Sequence, residues 1–275
     1  MKPGYVAPGL SAALCLAVLL GLSSLAAQEP GTKPETQAPP PTKVAPPAVT
    51  PGGHPADAYW SAHDKQLLTD FGWLARFKAE DDKLGPSTPG ENRVVFMGDS
   101  ITEGWHFNQP DGSFAGKPYI NRGISGQTTP QMLVRFRQDV IDLQPRVVVI
   151  LAGTNDIAGN TGPMTLEQTE DNLKSMADLA AANHIRVVLC SVLPAFDFPW
   201  HLGLEPAPKI DTINAWIKSY AAQKGYVYVD YHSAMKDARD GLPANLSHDG
   251  VHPTAPGYAI MAPLAEMGIA KALAQ

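Results

Sequence analysis

The chain has 275 residues and a formal net charge of −6, because 27 aspartates and glutamates outnumber 21 lysines and arginines. Proteins that bind nucleic acid or lie on anionic membranes carry a clustered basic surface, and a modestly acidic chain does not supply one. We therefore expect neither nucleic acid nor an anionic membrane as a partner.

The first 55 residues have the composition of two segments that precede a folded domain. Lys2 is followed by an uncharged apolar stretch and then by small residues up to Ala27, which is the pattern of a secretory signal peptide over residues 1–27. The apolar stretch is shorter than the about 20 residues of a stable membrane span, so we expect export to the periplasm or the extracellular space, with no stable span in the mature chain; the alternative is a retained N-terminal anchor. Residues 28–55 contain nine prolines and no aromatic residue, as in an extended linker. Residues 56–275 then suffice for one well-cored domain.

The predicted domain opens with an amphipathic helix and continues as alternating strands and helices. Trp60, Leu67, Phe71 and Leu74 share one helical face. Five short apolar runs follow and are predicted strands, at residues 94–97, 119–120, 147–151, 187–189 and 226–229. Between them lie helix starts, with Thr129 as an N-cap before a proline and Thr165 in a capping box. Strands without polar alternation are typical of a parallel sheet buried on both faces, so the sequence predicts a three-layer α/β/α sandwich.

One connection, residues 192–208, departs from this alternation. It is rich in aromatic residues and is interrupted by prolines. Long loops at strand ends often carry function, but an aromatic loop can also form a lid over its own core. Both interpretations, a lid and a substrate-binding element, remain open from the sequence.

A candidate nucleophile follows the first predicted strand directly. Ser100 ends the tripeptide Gly98-Asp99-Ser100, and a serine on a tight turn between strand and helix presents its hydroxyl above the sheet. Thr102 stands where the nucleophile elbow of α/β hydrolases has its second glycine, which argues against that fold.

Candidate oxyanion donors follow the second and third predicted strands. Gly123 permits close approach of the backbone to a ligand, and its N–H can donate to an oxyanion. Asn155, in Gly153-Thr154-Asn155-Asp156, offers a side-chain amide. We expect the neighbouring Asp156 to bond backbone groups instead.

The candidate base and acid lie near the C-terminus. Asp249 precedes His252 by three residues, so its carboxylate can fold back to accept the Nδ1–H of the imidazole. The Nε2 atom of His252 is then free to take a proton from Ser100. A second pair of this kind, Asp230 and His232, has no third partner and is interpreted as structural.

Together these motifs resemble the four conserved blocks of the SGNH hydrolase family, the GDSL-type esterases and lipases. The resemblance spans most of residues 93–273 and implies a flavodoxin-like sandwich and ester hydrolysis without a cofactor or a metal. Carried over by position, Ser100 is the nucleophile and Asp249 and His252 complete a triad. The oxyanion hole is then formed by the amides of Ser100 and Gly123 and the side chain of Asn155. Candidate substrate-pocket residues outside these roles are Asp99, Trp105, Trp200 and His201.

The resemblance leaves the substrate open. We expect a secreted esterase acting on short-chain acyl esters, acetyl above all, on a small molecule or a carbohydrate. Lysophospholipase or lipid acetylhydrolase activity is the alternative within the same family. Two other classes were weighed, a metal-dependent phosphoesterase and a non-catalytic binding module on the same fold. The sequence does not indicate the oligomeric state.

Overall fold

The computed structural model describes residues 62, 64–107 and 113–275. The predicted signal peptide, residues 1–27, and the predicted linker, residues 28–55, lie outside these described residues. The limits of the predicted domain, residues 56–275, remain a prediction.

Five parallel strands form the sheet, and each coincides with a predicted one. In the order β2-β1-β3-β4-β5, every neighbouring pair is parallel. This is the flavodoxin-like order of a doubly wound sheet. The bounds are β1 Val94–Gly98, β2 Tyr119–Gly123, β3 Val147–Leu151, β4 Arg186–Cys190 and β5 Val227–Val229. The predicted fold class is confirmed.

Helices cover both faces of this sheet. Their bounds are α1 Ala75–Leu84, α2 Ser100–Glu103, α3 Thr129–Asp139, α4 Thr154–Ala158, α5 Leu166–Ala182, α6 Ala207–Lys224, α7 Tyr231–Met235 and α8 Ala255–Leu273, with a 3₁₀ turn at Ile141–Leu143. Alternate strand residues such as Val148 and Val149 point to opposite faces. Val148 packs in a core with α3, α5 and α6, and Val149 in a core with α7 and α8. Among the described residues, no helix combines the length and the apolar composition needed to cross a membrane.

The register of the strands brings the chemically important loops together. Gly98 at the end of β1 stands beside Gly123 of β2 on one side and Leu151 of β3 on the other. Parallel strands share one carboxyl edge, where ligands of open α/β sheets bind. The segments that follow β1, β2 and β3 therefore converge at this edge.

The opening helix is shorter than the sequence predicts. Residues 64–69 are helical, but the chain turns at Asp70 and begins a new helix, α1, at Ala75. The cause is Asp70 itself, because its carboxylate accepts hydrogen bonds from the backbone N–H groups of Leu74 (2.8 Å) and Ala75 (3.0 Å). A carboxylate in this position satisfies the unpaired donors of a helix start. Trp60 lies outside the described residues.

Candidate active site

The structure brings Ser100, His252 and Asp249 into one hydrogen-bonded line. Ser100 Oγ lies 2.9 Å from His252 Nε2, and His252 Nδ1 lies 2.6 Å from Asp249 Oδ2. A carboxylate can only accept, so Nδ1 carries the proton and Nε2 is an acceptor toward the serine hydroxyl. This is the arrangement that activates a serine nucleophile.

The turn that presents Ser100 is tight and depends on its neighbours. Asp99 is the N-cap of α2, and its Oδ1 accepts from the N–H of Ile101 (2.9 Å). A side chain at Gly98 would place its Cβ 2.1 Å from Thr102 Oγ1, so only glycine fits there. Asp99 is itself buried, and this burial raises its pKa to about 6 despite the hydrogen bond from Ile101. Asp99 thus stabilises the turn that carries Ser100 and does not line the cavity.

Asp249 is held as an anion by a ring of donors. Its Oδ1 accepts from the backbone N–H groups of Val251 (2.9 Å) and His252 (2.8 Å) and from Ser247 Oγ (3.0 Å). Partial burial favours the neutral acid, but the hydrogen bonds from the His252 backbone and ring and from Val251 outweigh it and lower the pKa of Asp249 to about 2. A charged carboxylate at this position fixes the tautomer and the orientation of the His252 ring.

A cavity of about 280 Å³ opens above Ser100. It is lined by Ser100, Ser125, Gly126, Asn155, Asn160, Trp200 and His252. The nucleophile, the base and the side-chain amide of Asn155 thus face one space. Ser125 at the rim is held by Glu103, whose carboxylate accepts from the backbone N–H of Ser125 (2.8 Å) and from its hydroxyl.

The structure places Gly126 at the cavity, and the predicted oxyanion donor Gly123 is not among the lining residues. The N–H of Gly123 donates to Asn121 Oδ1 (2.8 Å), and the residue packs so closely against α2 that a Cβ would lie 2.1 Å from the backbone N of Glu103. Gly126 lines the cavity and has a φ of 78°, a conformation that favours glycine. Within the described part of the chain, the backbone N–H groups of Gly126 and Ser100 have no hydrogen-bond acceptor.

The remaining candidate pocket residues separate into one that reaches the cavity and two that do not. Trp200 lines it, with its ring centroid 5.9 Å from that of His252. Trp105 is buried among aromatic rings and stacks on Tyr258, at 5.4 Å between centroids. His201 is exposed and its ring Nδ1 lies 2.9 Å from the carbonyl oxygen of Ala158. Neither Trp105 nor His201 is among the lining residues.

Sequence reasoning missed three lining residues, Ser125, Gly126 and Asn160. The signal for the first two was a second glycine three positions after Gly123. Asn160 lies two residues beyond the end of α4 and resembles an ordinary turn residue.

Two other motifs have structural roles in the fold. Asp156 is buried and accepts hydrogen bonds from the N–H and hydroxyl of Thr129, which joins α4 to the start of α3. Asp230 caps α7 by accepting from the N–H of Ser233 (2.9 Å), and His232 is buried beside it. Among the residues that the structure describes, no group of three or more His, Cys, Asp or Glu side chains is placed to hold a metal ion.

Comparison with known proteins identifies the family of this chain. The GDSL-like lipase/acylhydrolase family matches residues 96–260. The solved structure of a GDSL-like lipase from Bacteroides thetaiotaomicron VPI-5482 is 47% identical with a TM-score of 0.70, covering 74% of this chain and 100% of that one. An acetylxylan esterase of Geobacillus stearothermophilus is 26% identical over 204 residues, which cover 62% of this chain and 90% of that protein. An acetylxylan esterase of Xylanibacter ruminicola is 27% identical over 239 residues, which cover 74% of this chain and 47% of that protein. The chain belongs to the GDSL-like lipase/acylhydrolase family, the SGNH hydrolases, and is a carboxylic ester hydrolase.

Proposed function

We propose that this protein is an exported serine esterase that removes short acyl groups, acetyl above all, from carbohydrate esters. The observation that carries the proposal is the line Asp249–His252–Ser100, with distances of 2.6 Å and 2.9 Å, at the floor of a small open cavity. Because the enzyme acts on carboxylic esters, the alternatives of a binding module and of a phosphoesterase are set aside.

The reaction is a two-step acyl transfer. His252 Nε2 takes the hydroxyl proton of Ser100 as Oγ attacks the ester carbonyl carbon. The tetrahedral intermediate collapses when the bond to the leaving alcohol breaks and His252 gives its proton to that oxygen. Water, deprotonated by the same imidazole, then attacks the acyl carbonyl carbon. The bond to Ser100 Oγ breaks as His252 returns the proton to that oxygen, which releases the acid and regenerates the serine. Asp249 stays ionised throughout and stabilises the imidazolium that forms in each step.

We assign three donors to the oxyanion of both intermediates. They are the backbone N–H groups of Ser100 and Gly126 and the Nδ2 amide of Asn155. Support for the two backbone donors is that neither has an acceptor within the described residues. Preorganised donors at a developing negative charge supply a large part of the rate enhancement in acyl transfer.

The lining of the cavity supports a short acyl group. Among the described residues, Trp200 is the one large apolar side chain that lines the cavity, and no aliphatic side chain lines it. A long acyl chain requires an extended apolar surface to leave water, whereas an acetyl group does not. A carbohydrate leaving group is suggested by the two acetylxylan esterases to which the chain is similar. Export rests on the signal peptide predicted at residues 1–27 and is tested by finding the processed N-terminus outside the cytoplasm.

The test compares wild type with Ser100→Ala on p-nitrophenyl esters from acetate to decanoate, with chelator present. We expect kcat/KM to fall with chain length, chelator to have no effect, and the variant to lose nearly all turnover. Acetylated xylo-oligosaccharide and a lysophospholipid are then assayed side by side. A folded Ser100→Ala variant with wild-type turnover overturns the mechanism, and a preference for the lysophospholipid overturns the substrate class.

A further inference from the structure

We propose that Asn160 and Trp200 are positioning residues that orient the oxyanion donor Asn155. The indole Nε1–H of Trp200 donates to Asn160 Oδ1 (3.2 Å), and Asn160 Nδ2 donates to Asn155 Oδ1 (2.9 Å). The chain of hydrogen bonds runs from the aromatic loop, residues 192–208, to the catalytic centre. This inference rests on the proposed function, since it assumes that Asn155 stabilises an oxyanion.

The indole of Trp200 determines the orientation of the two side-chain amides in this series of hydrogen bonds, those of Asn160 and Asn155. A tryptophan N–H can only donate, so the atom of Asn160 that faces it must be the oxygen. The Nδ2 of Asn160 also lies 3.3 Å from the carbonyl oxygen of Gly126, which can only accept. Asn160 therefore has one favourable orientation, and in it the amide donates to Asn155.

The consequence for Asn155 is that its NH₂ group faces the reaction centre. Its Oδ1 is occupied by Asn160, and one Nδ2 hydrogen is taken by the carbonyl oxygen of Gln127 (3.0 Å). The remaining contact, to Asp99 Oδ2, is 3.4 Å long and is therefore weaker than the bond to Gln127. One N–H of the Asn155 amide is thus only weakly hydrogen-bonded. It can donate a hydrogen bond to a developing oxyanion.

Trp200 is itself held firmly, which makes it a suitable reference point. Its ring stacks on Phe198, at 5.2 Å between centroids, and Phe198 is fully buried in the core. The same ring lies beside His252. The indole therefore serves two separable purposes: its face forms a cavity wall next to the base, and its N–H acts through Asn160 on the oxyanion donor.

Two conservative variants separate these purposes. Trp200→Phe keeps an aromatic ring and removes the N–H. Asn160→Asp keeps the shape and the acceptor for Trp200 but has no donor for Asn155 or Gly126. Because loss of a whole oxyanion donor costs about 10²–10³ in kcat, we expect misorientation to cost on the order of tenfold in kcat, with KM for p-nitrophenyl acetate nearly unchanged. Trp216→Phe, on α6 and outside the cavity, is the matched control and should retain the wild-type kcat.

A double-mutant cycle distinguishes positioning from a general structural effect. If both residues act through Asn155, then adding Trp200→Phe or Asn160→Asp to Asn155→Ala should lower kcat by less than about twofold more. If Trp200→Phe or Asn160→Asp lowered kcat by the same factor in wild type and in Asn155→Ala, the inference would be overturned. Single variants with wild-type kcat would also overturn it. A wild-type kcat in Asn155→Ala alone would instead refute the oxyanion role in the proposed function. Thermal unfolding identifies a variant that fails to fold, in which case the cycle with the other variant decides.

Discussion

The two carboxylate oxygens of Asp249 have different partners, the catalytic base and the backbone turn that follows Asp249. Oδ2 faces the His252 ring, whereas Oδ1 accepts from two backbone N–H groups and a serine hydroxyl. The first contact sets the protonation of the base, and the second fixes the position of the carboxylate. A substitution that keeps the shape of the side chain can therefore separate charge from geometry.

Asp249→Asn should lower kcat by about 10⁴-fold while the protein stays folded. The asparagine Oδ1 can still accept from the turn, which leaves Nδ2 facing the ring. His252 Nδ1 must then become the acceptor, so Nε2 carries the proton and cannot take one from Ser100. Steady-state kinetics on p-nitrophenyl acetate measures the loss.

Asp230→Asn is the control for that substitution, because Asp230 pairs in sequence with His232, in the spacing Asp-x-His, and caps α7. Asparagine is also a good N-cap, so kcat should equal that of wild type. If Asp230→Asn were the inactive variant, or if Asp249→Asn kept a tenth of the activity, the assignment of the acid would be wrong.

At the scale of elements, the aromatic loop combines the two interpretations that the sequence left open. Phe198 is fully buried in the core, Trp200 lines the cavity, and Phe196 is 57% exposed. Asp197 fixes the turn between them by accepting from the N–H groups of Phe198 (2.9 Å) and Gly203 (2.8 Å). The loop is therefore both a packed part of the core and a wall of the site. Aromatic content alone could not show which ring faces which way, since that depends on this turn.

The capping box at the start of α5 provides a prediction about stability. Thr165 Oγ1 accepts from the N–H of Gln168 (3.2 Å), and the Gln168 side chain accepts from the N–H of Thr165 (2.9 Å). Thr165→Ala leaves one of these donors without a protein acceptor and should lower the free energy of unfolding by about 1 kcal/mol. Chemical denaturation measures it. Thr212→Ala, inside α6, removes an exposed threonine that caps nothing and should be neutral; an equal loss in both variants would refute the role of the cap.

At the scale of the whole molecule, the sequence predicted the sheet better than it predicted the site. The five strands were recognisable because continuous apolar runs fit a sheet buried on both faces. Ser100 and Asn155 follow from motifs at strand ends, and the Asp249–His252 pair follows from its spacing near the C-terminus. Gly123 and Gly126 could not be told apart, because the choice depends on which N–H the side chain of Asn121 occupies. Trp105 follows the nucleophile closely in sequence, yet the turn after α2 directs it into the core.

The stability of the whole domain should depend on pH through the buried carboxyl of Asp156. Burial raises its pKa to about 6, from an ordinary value of 3.8, although Thr129 donates hydrogen bonds to it. Between these two values the folded protein holds a proton that the unfolded chain has released. This contribution to the free energy of unfolding therefore increases as pH falls through 6, and it levels off below 3.8.

Asp156→Asn removes that linkage, so wild type should gain stability over the variant on acidification. The difference in their free energies of unfolding should grow by about 1 kcal/mol per pH unit between pH 6 and 4, and be flat above pH 7. Urea denaturation at several pH values measures it, and taking the difference removes contributions from groups that do not interact with Asp156, such as His232, whose pKa burial lowers. A difference that shrinks toward low pH would show that the hydrogen bonds from Thr129 outweigh burial, and a constant difference would show that the two effects cancel. In the first case Asp156 would join α4, the helix that carries Asn155, to α3 as an anion at every pH above its lowered pKa.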